Sequence, residues 1–162
     1  MDTISIRPLG LPDLNEAARL LGQLNPDTPP AIVRERLEHI LENHPHYHLY
    51  GAMDESRMVG VCSAWIATKV WCGKYLEIDN IVVDSNQRSS GIGTRLIERM
   101  EEIGREHNCL VLTLDSYTAN HPSHRLYHRL GFEIWGCLLY TSDAADERGG
   151  GVGWGGGGGG GG

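Results

Sequence analysis

The chain has 162 residues, 40% hydrophobic and 22% charged, which is enough for one core and too short for two ordinary domains. A formal net charge of -7, with no basic run or stripe, leaves electrostatic binding to nucleic acid or an anionic membrane without a footprint. No leader pattern opens the chain, no apolar stretch nears a bilayer span, and Cys62, Cys72, Cys109 and Cys137 form no CxxC pair. A soluble, cytoplasmic protein with reduced thiols is therefore expected.

Ile4-Ser5-Ile6 alternates and predicts a short first strand. Leu11-Pro12-Asp13 then opens a helix with Leu14, Ala17, Leu20, Leu21 and Leu24 on its apolar face, which Asn25-Pro26 stops. A second helix opens on Pro29-Pro30, buries Ile32, Val33, Leu37, Ile40 and Leu41, and ends at His44-Pro45. Two strands follow, over about 47–53 and 58–68, around the polar turn Asp54-Glu55-Ser56-Arg57, and a longer strand covers 75–83. After "NQRSSGIGTRLIERM", residues 86–100, a helix carries Leu96, Ile97, Met100 and Ile103 on one stripe, with Arg95, Glu98, Arg99, Glu102 and Glu106 off it. "CLVLTL" at 109–114 reads as a strand, "HPSHRLYHRLG" at 121–131 as a short helix closed by Gly131, and "FEIW" at 132–135 as the start of a last strand. Helices and strands in this order, without internal repeats, predict an α/β fold.

The stretch between Val83 and the third long helix carries the chemistry. A helix preceded by small residues offers unpaired N–H groups and the positive end of its dipole, an arrangement that suits an anion. Gly91 and Gly93 allow close backbone approach, and Arg88 adds charge. The dinucleotide fingerprint would need glycine where Leu96 stands, and the P-loop would need Gly-Lys-Ser or Gly-Lys-Thr after its second glycine; neither occurs. What occurs is Arg-x-x-Gly-x-Gly over 88–93.

That motif resembles the coenzyme-binding motif of the GNAT superfamily of N-acetyltransferases, Arg/Gln-x-x-Gly-x-Gly/Ala between a central strand and a helix. "NHPSHRLYHRLGFE", residues 120–133, is similar to the family's later motif, and "ISIRPLGLPDLNEAARLL" to its first strand and helix. The resemblance runs from residue 3 to about 136. It implies a GNAT fold, a mixed and mostly antiparallel central sheet flanked by helices, with acetyl-CoA as co-substrate and no metal. It further implies that the main chain of Arg88, Ser89, Ser90, Gly91, Ile92, Gly93 and Thr94 holds the pyrophosphate, and that Ile81, Val82 and Val83 offer free backbone groups to the pantetheine arm. Ile81 N–H is implied in the oxyanion-stabilising role, and Asn120 as a coenzyme contact.

Acetyl transfer to an alkyl ammonium needs a base or a water chain, because the protonated amine has no lone pair. Glu77 and Asp79 alternate onto one strand face, with Ile81 and Val83 continuing it, and either carboxylate is a candidate base or a holder of a cationic substrate. Tyr127 matches the family's tyrosine before Gly-Phe, which implies the acid that protonates the departing thiolate; a phenol with a pKa near ~10 keeps its proton at neutral pH. His121, His124 and His128, or His44, His46 and His48, have spacings that could hold a metal, yet no HExxH-like acidic motif accompanies them. A non-catalytic acyl-CoA sensor on the same fold is the alternative. The partners expected are a small-molecule or peptide amine, not nucleic acid or membrane, with a homodimer left open.

Residues 149–162 hold 12 of the chain's 22 glycines. In 148–162 every non-glycine residue (Arg148, Val152, Trp154) is one base away from GGG, as in a read of uninterrupted G. "CLLYTSDAADE", residues 137–147, is similar to a translated transposon-based sequencing adapter. The expected division is a 1–136 acetyltransferase domain and a non-native, disordered 137–162 tail, with the family's last strand missing or replaced.

Overall fold

The structure, a computed structural model, describes residues 4–87 and 90–139, in two compact units that divide after Gly131. In the first unit five strands form one sheet in chain order: β1 (Ile4–Pro8), β2 (Tyr47–Asp54), β3 (Arg57–Lys69), β4 (Gly73–Val83) and β5 (Val111–Leu114). β1 to β4 are antiparallel neighbours, while β5 joins β4 in parallel. The helices are α1 (Leu14–Leu21), α2 (Pro30–Asn43), α3 (Ile92–Glu106) and α4 (His121–Arg129). A parallel pair needs a crossover, and α3 supplies it between β4 and β5. The expected α/β architecture, mixed and mostly antiparallel, is present.

Each face of the sheet has its own cover. Leu14, Ala17, Leu20 and Leu21 of α1 join Leu37 of α2 and Tyr47, Leu49, Val61 and Val82 of the sheet in one buried cluster. On the other face α3 approaches β3 so closely that a Cβ on Gly60 would lie 3.1 Å from both Ile92 and Leu96. Leu96, Ile97, Met100 and Ile103 are all buried, as their stripe predicts. α1 is entered through a short 3-10 turn, Leu11–Asp13, where the Asp13 carboxylate accepts the Gly10 N–H at 2.9 Å and both terminal nitrogens of Arg7. The Arg7 guanidinium holds the Asp13 carboxyl below its usual range.

Several expectations are corrected. α1 ends at Leu21, so Leu24 lies beyond the helix and is 42% exposed. Ile32 is 39% exposed because Val33, Leu37, Ile40 and Leu41 already hold the i, i+4, i+7, i+8 stripe, from which Ile32 is one step round. Cys109 and Leu110 precede β5 rather than belong to it: the Cys109 N–H turns back to the Gly104 carbonyl (2.8 Å) and the Leu110 N–H bonds to the Lys74 carbonyl (2.7 Å).

In the second unit, Phe132–Leu139 contain no strand, so the strand expected at "FEIW" is not formed. Strand backbone must spend its N–H and C=O groups on a neighbouring ladder, and no ladder includes these residues. The Trp135 indole donates instead to the nearby Glu133 carboxylate at 3.2 Å. Most of the glycine-rich, adapter-like segment, from 140 onward, lies outside the described residues. Among the described residues, no helix is long and apolar enough to cross a membrane.

Candidate active site

The site is organised by an irregularity in β4. Ser63 pairs with Asn80 and Ala64 with Ile78, so Asp79 is the extra residue of a β-bulge. Trp65, opposite Glu77, and Cys62, opposite Ile81, are three positions apart on β3 and therefore point to opposite faces. Glu77 thus shares the α1/α2 face with Trp65, while Ile81 and Val83 belong to the α3 face. The expectation that Ile81 and Val83 continue the face of Glu77 is corrected: the inserted residue reverses the alternation. Asp79 itself turns to the Glu77 side, where Asn80 Nδ2 donates to its carboxylate at 2.9 Å and Trp65 acts on its titration.

The bulge is also where two strands part. β4 and β5 pair from Tyr75↔Val111 to Ile78↔Leu114 and no further, although β4 continues to Val83. The Asp84 N–H bonds to the Val59 carbonyl at 2.9 Å, which sets the phase of the ladder with β3. Residues 82 and 84 direct their main-chain groups to β3, and Ile81 and Val83 direct theirs to the opened side. Val82, which the sequence grouped with them, is bound into the sheet and buries its side chain against α1.

β4 runs directly into the glycine loop. Gly91 caps α3 with φ +78°, ψ 1°, a left-handed conformation that side chains other than glycine resist, and nothing stands within 4 Å of where its Cβ would be. The Arg95 N–H is the first to bond back, to the Gly91 carbonyl at 3.1 Å, so the N–H groups of Ile92, Gly93 and Thr94 precede the regular ladder. The Ser90 hydroxyl donates to the Gln87 carbonyl and closes the turn. Arg88 and Ser89, expected to complete the anion site, lie outside the described residues.

The electrostatics differ across the sheet. Burial raises the Glu77 carboxyl above its ordinary range, with Asp115 and Asp79 adding to the shift and Lys69 opposing it. Asp79, though exposed, is raised mainly by loss of hydration from the groups around it, with Trp65 and the Asn80 hydrogen bond acting against the shift. Burial also raises the phenol of Tyr127, with the Cys62 thiol nearby adding to the effect and a Ser123 hydrogen bond opposing it. Cys62 is fully buried and kept protonated by that burial. Cys62 is the cross-strand partner of Ile81 and shares its α3 face.

Asn120 caps α4, its Oδ1 accepting the Ser123 N–H at 3.4 Å. The histidines are engaged in packing: His124 Nε2 lies 2.9 Å from the Tyr117 carbonyl, His44 meets the edge of Trp65 at 5.4 Å, and His48 meets His107 at 5.0 Å. Among the described residues, no group of three or more His, Cys, Asp or Glu is close enough to hold a metal. Sequence reasoning missed Asn80 as the partner of Asp79, Ser63 as the partner of Asn80, and Trp65 as the cross-strand neighbour of Glu77. Their roles depend on cross-strand register, which leaves no local signature.

A mixed sheet opened between its parallel pair, beside a glycine-started helix, is the α/β architecture expected of an acyltransferase of the GNAT type. The chain belongs to the acetyltransferase (GNAT) family, whose model matches residues 15–132, and it is an N-acetyltransferase. It is 31% identical over 145 residues to glucosamine 6-phosphate N-acetyltransferase 1 of Dictyostelium discoideum, covering 85% of this chain and 90% of that one. Among solved structures it is similar to a Trypanosoma brucei acetyltransferase (TM-score 0.72, 26% identity, covering 85% of this chain and 98% of that one). It shares its fold with an aminoglycoside N-acetyltransferase solved in complex with CoA (TM-score 0.77, 23% identity, 85% and 93% covered).

Proposed function

We propose that the chain transfers the acetyl group of acetyl-CoA to a primary amine of a small molecule or peptide by direct attack within a ternary complex. The observation that carries this reading is the opening of the sheet after Ile78, which joins two differently equipped faces. The coenzyme's diphosphate suits the N–H groups at the start of α3, where Gly91 leaves open space. Its arm suits the main-chain groups that Ile81 and Val83 direct to the opened side. Arg88, Ser89 and Asn120 complete the proposed coenzyme site.

On the α1/α2 face, Glu77 or Asp79 takes the proton of the acceptor ammonium and so exposes the nitrogen lone pair. A raised carboxyl pKa suits that task, since it brings the base closer to the pKa of the proton it must receive. The Ile81 N–H stabilises the negative charge that develops on the thioester oxygen as the C–N bond forms. Tyr127 gives its proton to the sulfur as the C–S bond breaks, leaving an amide and a free thiol. The relatives' names, which include acetyltransferases of glucosamine 6-phosphate and of thialysine, guide the choice of acceptors.

Free-thiol release from acetyl-CoA, with amino sugars, lysine analogues and peptide N-termini as acceptors, tests the proposal. Thiol release that depends on one of these amines is expected. Binding of acetyl-CoA without release across the panel would point to the sensor reading, and failure to bind at millimolar concentration would remove both.

A further inference from the structure

The bulge at Asp79 is held by a chain of side chains that the reaction outlined above does not use. Asn80 Nδ2 donates to Asp79 Oδ2 at 2.9 Å and to Ser63 Oγ at 3.1 Å. Ser63 is fully buried, one of only two buried polar or charged residues among the described ones. Tyr47, also buried, packs against Trp65, ring to ring at 4.6 Å, and His44 meets Trp65 at 5.4 Å. Burial raises the Tyr47 phenol, with Ser63 and Asn80 acting against that shift. Asn80 thus links a buried hydroxyl on β3 to a single carboxylate on β4.

A cluster of this kind is costly unless it is fully satisfied, because each buried polar group forfeits its water. An apolar residue at 63 or 80 would fill a sheet core more cheaply. What the polar version adds is direction. An amide can turn its NH2 or its oxygen toward a neighbour, and only the NH2 orientation supports an anion. The ionised Asp79 carboxylate only accepts and so selects the NH2 orientation, while the Ser63 hydroxyl accepts the second N–H of the same amide.

Resting on the acetyltransferase reading, we propose that Asn80, anchored on the buried Ser63 hydroxyl, is a positioning residue that holds Asp79 ionised and directed onto the acceptor face at the mouth of the opened sheet. Asp79 then meets the acceptor's ammonium, as its base or as its anchor, while Asn80 never touches substrate. The other charged groups around this carboxylate are Glu77 on β4, Lys69 on β3, which acts on Glu77, and Asp115 after β5. Loss of hydration, and after it the nearby Asp115, disfavour its ionised form, and this opposition gives the Asn80 donor its importance.

The test uses the full chain and the variants Asn80→Ala and Ser63→Ala, each checked for its melting transition. Without its amide donor, Asp79 should keep its proton to higher pH. Carbon-13 chemical shifts of the Asp79 carboxyl should therefore titrate about one unit higher in Asn80→Ala, a tenfold change in its acidity, and by a smaller step in Ser63→Ala. With a working acceptor, the acidic limb of kcat/KM for the amine should move up by the same amount, while KM for acetyl-CoA stays within about twofold. An Asp79 titration that is unmoved in Asn80→Ala would overturn the proposal. So would a rate that falls equally at all pH values. The carboxyl titration needs no substrate, so it separates failure of this inference from failure of the acetyltransferase reading, which wild-type thiol release decides.

Discussion

Tyr127 and Glu77 make opposite demands on the same chemistry, and both are met by burial. A half-buried phenol is harder to ionise, which keeps a proton available for a thiolate. Tyr127→Phe is expected to lower kcat about 100-fold, within the usual range for losing a general acid. Its affinity for acetyl-CoA, read by calorimetry, should be nearly unchanged, and unchanged turnover would remove the acid role. For Glu77 the folded-state pKa is raised, so between the unfolded and folded values the folded chain binds more protons than the unfolded one. Stability is therefore lost as pH rises through that window, and the penalty is complete above the folded value. Glu77→Gln should raise Tm at pH 7, with the gain vanishing below the unfolded pKa, while slowing acetyl transfer if Glu77 is the base. Opposite signs for stability and turnover would identify a residue kept for function.

At the scale of elements, the two glycines that begin α3 have different reasons to be there. Gly91 has room for a side chain but a backbone conformation that disfavours one, so Gly91→Ala should cost about 1 kcal/mol in denaturant unfolding. It should also weaken acetyl-CoA binding, because the methyl group would stand in the open space before the helix. Gly93 lies within α3, and a Cβ there would meet Leu126 and Val83 at an ordinary 3.8 Å. Gly93→Ala should be neutral or slightly stabilising, since alanine is the better helix former by about 1 kcal/mol. Alternation and helical stripes made these elements legible: Leu96, Ile97, Met100 and Ile103 announced the buried face of α3, and the pattern over 58–68 announced β3. The bulge was not legible. An inserted residue has no composition of its own, and counting by twos from Glu77 placed Ile81 on the wrong face. The partners Ser63, Trp65 and Asn80 were hidden for the same reason, since register is a property of two strands together. "FEIW" has strand-forming residues but no ladder to join, and propensity alone does not supply one.

For the molecule as a whole, every buried hydrophobic residue among those described lies between Leu9 and Ile103. We propose that residues 137–162 are not native to the domain. A chain ending at Gly136 should then match the full chain in Tm and in thiol release, and a lower Tm would show that the segment belongs to the fold. Independent sequencing reads that carry the same codons inside a longer contig would refute its adapter origin.

The strand order of the sheet bears on how the chain finds its fold. β1 to β5 stand side by side in the sequence in which they are synthesised. β2, β3 and β4 form two successive hairpins, so these three can close by short loops as they leave the ribosome, each on a finished neighbour. β5 alone must wait for α3 to cross the sheet. The crevice between β4 and β5 is consequently the last part of this sheet to be assembled, and a nascent chain acquires its framework before it acquires the means to act.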